Sequence, residues 1–326
     1  MRTTTSSLCL AAGLCLTAWL ARPVLSCCAL PREPLQGHVP VSITLDQQSA
    51  FLWREGKLEH MLLSVKYSGT TDEFAWVIPV ESKPKVTVEK GAPFTELRRA
   101  TKILAPVRSS KGMEAASAPG GAPPEVTVLE RKEEGPYDLA VLSATSGGGL
   151  YRWLKANGFH LSKNARGHLN YYVDKQYVFV AARIRSGAKD NQTIAERLRK
   201  GTIAPMHLTF KAKELTYPLK VTAANPGISS MELYVAGEVD PHRARDPKAP
   251  RSPFDPRNDT GLRQETFELT PSGKEAFTIS GPPGVANSGL NYPTLRRLMP
   301  KGGKLHKFTA VMNDAQRQDD LVFAKL

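Results

Sequence analysis

All four cysteines of this 326-residue chain, Cys9, Cys15, Cys27 and Cys28, lie within its first 28 residues. Nothing downstream can be stapled to anything else. The adjacent pair Cys27-Cys28 would close only a strained ring, because bridged residues want Cα atoms about 4.4–6.8 Å apart. The chain is therefore not a disulfide scaffold. Its fold must rest on burial of apolar surface, for which a hydrophobic content of 41% suffices.

The apolar residues follow strand periods more than helix periods. Leu63, Val65 and Tyr67 alternate with Ser64 and Lys66 and predict a half-buried strand over Leu62–Tyr67. Phe74–Val80 is apolar on both faces and reads as a central strand, with Pro79 near its end. Residues 93–104 read as a helix that has Pro93 at its first position. Gly135-Pro136-Tyr137-Asp138 is a turn signal, and Leu139–Leu142 reads as a short buried strand. Gly147-Gly148-Gly149 leads into a helix whose Leu150, Trp153 and Leu154 form one stripe, closed by Asn157-Gly158. Ser162 is placed to cap a second helix ending near Tyr172, and Tyr177–Ala182 is the next strand. These make a strand–helix–helix–strand unit.

Farther on, Met206, Leu208 and Phe210 alternate with polar residues, as do Leu215, Tyr217, Leu219 and Val221 across a short polar turn. The pair reads as a hairpin. Met231, Leu233 and Val235 predict a third strand, and Leu305–Met312 and Leu321–Leu326 a pair across the loop between them. The expected class is α+β, mainly antiparallel sheet with a few short helices.

The N-terminus reads as an export leader. Met1-Arg2 is followed by the apolar stretch Leu8–Leu20, which is too short to span a bilayer, and then by Val24-Leu25-Ser26-Cys27. Two processing routes are open. In one, Cys27 is acylated as in a bacterial lipoprotein. In the other, cleavage follows Ser26 without acylation. Residues 1–26 are thus a signal peptide and 27–239 the main α+β domain, with 105–125, rich in Pro, Gly, Ala and Ser, a loop insertion. Residues 240–261 are a linker or long loop, and 262–326 a C-terminal β-rich extension packed on the same core or standing apart.

The residues and spacings from Phe74–Val80 through Gly135–Asp138, Trp153-Leu154, Asn157-Gly158-Phe159, Tyr172-Val173-Asp174, Phe179-Val180-Ala181, Pro205–Phe210 and Tyr217-Pro218 resemble the exported bacterial family named domain of unknown function 2330. The resemblance covers roughly residues 40–240. It implies export and a shared fold. It supplies no reaction, ligand or catalytic residue, and the family's additional cysteines after the signal are not present here.

Local chemistry is sparse. His38, His60, His160, His168, His207, His242 and His306 show none of the short spacings of zinc sites. Gly147–Gly149 lacks the Lys-Ser/Thr of a P-loop and reads as a flexible strand-to-helix turn. No Gly-x-Ser-x-Gly elbow occurs. Ser143, His168 and Asp138 form a triad only on paper. Glu133-Glu134 and Asp319-Asp320 read as solvated turn carboxylates. Trp76, Trp153, Tyr171, Tyr172 and Tyr177 read as core, with a ligand groove as the other reading.

The net charge of +13 is spread without a dense tract. It suits a solvated surface, or anionic envelope lipid or polysaccharide as partner. Nucleic acid is not expected, and membrane contact would come only through an acyl anchor. No catalytic, cofactor or metal residue is assigned and no cofactor is expected. Cys27 is the one candidate site residue, for lipid attachment. The expected function is a noncatalytic envelope binding or structural component. The rivals are an envelope hydrolase assembled from distant residues and a basic module on anionic lipid or polysaccharide.

Overall fold

The computed structural model describes residues 43–69, 75–101, 125–159, 161–184, 203–224, 228–240, 263–272, 276–280, 292–299 and 303–325. In chain order the elements begin with β1 (Ile43–Glu55), β2 (Leu58–Gly69), β3 (Ala75–Val80), β4 (Lys85–Val88), α1 (Pro93–Ala100), β5 (Val126–Glu134) and β6 (Tyr137–Ala144). Next come α2 (Gly147–Ala156), α3 (Ala165–Asp174), β7 (Val178–Ile184), β8 (Met206–Lys211), β9 (Leu215–Tyr217) and a 3₁₀ turn at Lys220–Ala224. The last are β10 (Ser229–Ala236), β11 (Val239–Asp240), β12 (Arg263–Ser272), β13 (Ala276–Ser280), α4 (Pro293–Leu298), β14 (Gly303–Met312), a 3₁₀ turn at Asp314–Arg317 and β15 (Leu321–Lys325). The class is α+β and the sheets are mainly antiparallel.

An eight-stranded sheet runs in the order β13-β12-β14-β10-β1-β2-β8-β4. Every neighbouring pair in it is antiparallel except β1 with β10, which is parallel. A four-stranded sheet has the order β3-β7-β6-β5, and a three-stranded one β11-β15-β9. The unit β6-α2-α3-β7 is the expected strand–helix–helix–strand, its two strands adjacent and antiparallel.

Burial on both faces of the large sheet explains its composition. Ala50, Leu52, Met61 and Leu63 pack into a core shared with the four-stranded sheet, α2 and α3. Phe51, Trp53 and Leu62 point the other way, into a second core closed by Phe94 and Leu97 of α1 and by Leu295 and Leu298 of α4. The two helices are tied end to side. Glu96 of α1 accepts the N–H groups of Thr294 at 3.2 Å and Leu295 at 2.9 Å. It supplies the partners that the first turn of α4 lacks, since Tyr292 at the N-cap contributes no side-chain bond.

Several expectations change. The run Leu62–Tyr67 is part of β2 but is not half-buried along the part whose side chains are described. Leu62 and Ser64 are as covered as Leu63 and Val65, because a core lies on each side. β3 is buried throughout yet is the terminal strand of its sheet, and that is where Pro79 is tolerated. The hairpin over 206–221 does not form. β8 pairs with β2 and β4, β9 pairs with β15, and Leu219 lies before a 3₁₀ turn. Pro218 stops the second run from extending. β14 and β15 likewise do not pair with each other. β14 lies between β10 and β12, and β15 between β9 and β11. The Ser162 hydroxyl bonds the Ala224 carbonyl and does not cap α3. The leader, Cys27, Phe74 and nearly all of 105–125 and 240–261 lie outside the described residues.

Candidate functional site

The β1–β2 hairpin sets the register that builds the site. Gly56, with φ of +59°, takes the first position of its two-residue turn, where primed turns call for glycine. Arg54 pins the tip, donating to the carbonyls of Gly56, Lys213 and Ala212 at 2.8, 2.8 and 2.9 Å. Trp53 then lies opposite His60, and His60 opposite Thr209 of β8, so the three share one face of the sheet. His207, two residues before Thr209, shares it too. A slip of one residue would send all of them to the other core.

His60 Nδ1 is 3.1 Å from His207 Nε2, and the Thr209 hydroxyl is 3.3 Å from the first and 3.4 Å from the second. The Trp53 ring stacks on His60, with centroids 4.8 Å apart and planes within 10°, and lies 5.2 Å from His207. Glu55 stands behind His60, its carboxylate 3.6 Å from Nε2, and accepts the Trp53 indole N–H at 3.4 Å. Burial holds His60 below its ordinary imidazole value, opposed by Glu55. His207 is pushed down to about 4 by burial and then by His60. Partial burial thus favours the neutral form of both rings.

A second polar cluster joins α3 to the start of β15. Asp320 Oδ1 accepts the Tyr172 hydroxyl and the Lys220 amide, the latter at 3.1 Å, and Tyr172 in turn accepts the Val221 amide at 3.0 Å. Asp320 Oδ2 is closed off from solvent with no hydrogen-bond partner. Burial lifts this carboxyl to about 6 against the opposing pull of the Tyr172 hydroxyl, the Lys220 amide and the Lys175 and Lys220 charges. The solvated reading of Asp319-Asp320 is thus corrected for Asp320. Glu59 of β2 is fully buried. It accepts the Thr216 amide at 3.1 Å, and burial pushes it well above the usual carboxylate range. On the α1 side, Arg98 donates to Glu232 at 2.8 Å and to Ser49 at 2.7 Å, while the Tyr234 hydroxyl donates to Glu232 at 2.9 Å. That network docks the helix.

The paper triad does not converge. Asp138 pairs with Arg183 at 2.6 Å across β6 and β7. Ser143 is five positions along β6, roughly 17 Å away and on the opposite face. His168 lies on α3 among the fields of Lys220, Arg317 and Asp314.

The three glycines are the first residues of α2 and not a flexible turn. Ser146 caps the helix by accepting the Gly149 amide at 2.9 Å, and the Gly147 amide donates to the Asn170 side chain at 3.1 Å. A Cβ on Gly147 would come within 2.7 Å of the Asn170 backbone. Glycine there lets α2 approach α3, and these two amides are already used. Trp76 and Tyr172 are core; Tyr171 carries the Lys175 and Lys220 ammonium groups over its ring at 4.1 and 4.6 Å. Among the described residues no three His, Cys, Asp or Glu side chains come together as a metal site.

The His60–His207 pair, 147 positions apart, has no local signal in the sequence. Each sits in an alternating strand, so only the pairing of β2 with β8 brings them together. His38, His160, His242, Cys27 and Cys28 lie outside the described residues.

The model of the family described as uncharacterized protein conserved in bacteria, DUF2330, matches residues 37–254. The chain belongs to this family. No curated protein matches it. Among solved structures, the crystal structure of baculovirus P35 is similar over 87% of this chain and 97% of that chain, at 9% identity and a TM-score of 0.39. That likeness is too distant to bear on fold or function. The DUF2330 match ends before β12, yet β14, from beyond the match, is hydrogen-bonded directly to β10 within it.

Proposed function

We propose that this chain is an exported component of the bacterial cell envelope with a noncatalytic binding role, anchored through acylated Cys27. The observation that carries the noncatalytic reading is the placement of Thr209. Thr209, His60 and Glu55 fall in the order hydroxyl, imidazole, carboxylate, which invites a hydrolase reading. Three features oppose it. Glu55 is 3.6 Å from His60, beyond a hydrogen bond. His207 faces the same imidazole nitrogen as the hydroxyl. Thr209 is in the middle of β8, between β2 and β4, so the surrounding amides are committed to ladders and leave no oxyanion hole. The leader and the cysteine at its end support export and anchoring.

Two measurements test the proposal. Wild type should fractionate with membranes and take up labelled palmitate, and Cys27→Ala should be exported but soluble. Retention of wild type in the cytoplasm would refute export, and a soluble, unacylated wild type would refute the anchor. The purified protein should not cleave chromogenic esters or glycosides. Turnover that disappears in Thr209→Val would refute the noncatalytic reading.

A further inference from the structure

We propose that His60 Nδ1, His207 Nε2 and the Thr209 hydroxyl bind one borderline divalent transition-metal ion, with Zn²⁺ as the reference ion. This names a ligand for the binding role above and rests on that role, not on export.

The three atoms form a triangle with edges of 3.1, 3.3 and 3.4 Å. Ligands about 2.0–2.1 Å from a tetrahedral zinc lie about 3.3–3.4 Å from one another. The donors therefore already outline one face of such a polyhedron. Hydrogen bonding alone accounts for the triangle poorly. Each ring nitrogen has one in-plane position, a proton or a lone pair, so it makes one well-aimed bond. Three edges cannot all be well made with such atoms, whereas one cation over the triangle satisfies all three donors.

The surroundings are those of a ligand set. Imidazole suits Zn²⁺, Cu²⁺ and Ni²⁺. Glu55, 3.6 Å from Nε2 and too far to hydrogen-bond it, still places a negative charge on the side of His60 away from the triangle, which favours a proton on Nε2 and a lone pair on Nδ1. Trp53 stacked on the ring fixes its plane. With only two imidazoles and one hydroxyl as protein donors, a four-coordinate ion would need one further ligand.

The test uses untagged protein freed of metal, titrated calorimetrically with Zn²⁺, with Mg²⁺ as control. One Zn²⁺ per chain should bind and raise the melting temperature, because an ion that binds only the folded state stabilises it. His60→Asn and His207→Asn each remove a ligand and should weaken binding by about 100-fold or more, beyond the ~10–100-fold typical of supporting groups, and Glu55→Gln, which removes only a nearby charge, by about 10-fold or less. Cu²⁺ should quench Trp53 fluorescence in wild type but not in His207→Asn. Thr209→Val, which keeps the shape of the side chain, should weaken Zn²⁺ binding even if a histidine variant fails to fold.

No Zn²⁺ binding by wild type, or binding that His207→Asn and Thr209→Val leave unchanged, would overturn the site. The second outcome would place the ion elsewhere, with Cys27-Cys28 the first alternative. Protein that neither binds Zn²⁺ nor hydrolyses esters would lose this metal and keep the binding role. Turnover abolished by Thr209→Val would remove the role itself.

Discussion

Replacing Asp320 with Asn should flatten the acid limb of the stability curve. The Asp320 carboxyl titrates at about 6 in the folded protein against 3.8 for a free side chain. The folded state therefore holds this proton more tightly than the unfolded state does. Below 3.8 both states are protonated and the contribution is fully present. As pH rises, the unfolded chain ionises first and stability falls until the folded group ionises near 6. At about 1.4 kcal/mol per pKa unit the loss is about 3 kcal/mol, a large share of the ~5–15 kcal/mol that holds a typical domain.

In Asp320→Asn the side-chain oxygen can still accept from the Tyr172 hydroxyl and the Lys220 amide, but it does not ionise. Its NH₂ group replaces an oxygen that has no partner, a constant cost of about 1–3 kcal/mol. The slope, not the offset, is the readout. Urea denaturation from about pH 4 to pH 7 should show wild type losing about 3 kcal/mol relative to the variant, with other titrating groups cancelling in the difference. Parallel curves, or wild type gaining on the variant as pH rises, would refute the account of a carboxylate ionised against its burial.

The remaining predictions concern packing. Trp76, buried on β3 against Tyr137 at a ring separation of 6.4 Å, should cost about 3–5 kcal/mol when cut to Ala; a variant that melts like wild type would place the ring outside the core. Glu96→Ala removes the acceptor for two α4 amides and should cost about 1–3 kcal/mol in urea melts, whereas an unchanged midpoint would mean that water replaces it. Cleavage near Arg243–Arg251 should leave two fragments that co-elute until denatured, because β14 pairs with β10 and β15 with β9; separation of native fragments by gel filtration would contradict that pairing.

Local pattern carried the elements further than it carried their partners. The β6-α2-α3-β7 unit was readable because each of its signals is local: the Gly135 turn, the apolar stripe of α2 and the left-handed Gly158 cap, whose φ is +81°. The hairpins expected over 206–221 and 305–326 failed on pairing. Two alternating runs joined by a short turn pair with each other only if neither has a better partner. β8 instead pairs edge to edge with β2 and β4 inside the large sheet, and β9 with β15 in the three-stranded one. β1 beside β10 is a parallel pair of residues 183 positions apart, as Gln48 is from Met231, and no local window of sequence contains it.

The candidate site depends on the same long-range choice. His60, His207 and Thr209 are unremarkable as a polar alternate in β2 and two in β8, and in isolation each reads as the wet side of a half-buried strand. In the fold all three stay half-buried, with the Trp53 ring stacked over His60. What local pattern cannot show is the pairing of β2 with β8, which holds two imidazoles and a hydroxyl within 3.4 Å of one another. Asp320 changes meaning for the same reason. In sequence it is half of an Asp-Asp turn, and in the fold it receives the hydroxyl of a core tyrosine from 148 positions away. Function in this chain is therefore to be sought where strand pairing buries polar alternates, since those are the groups whose protonation and ligand chemistry the fold has altered most.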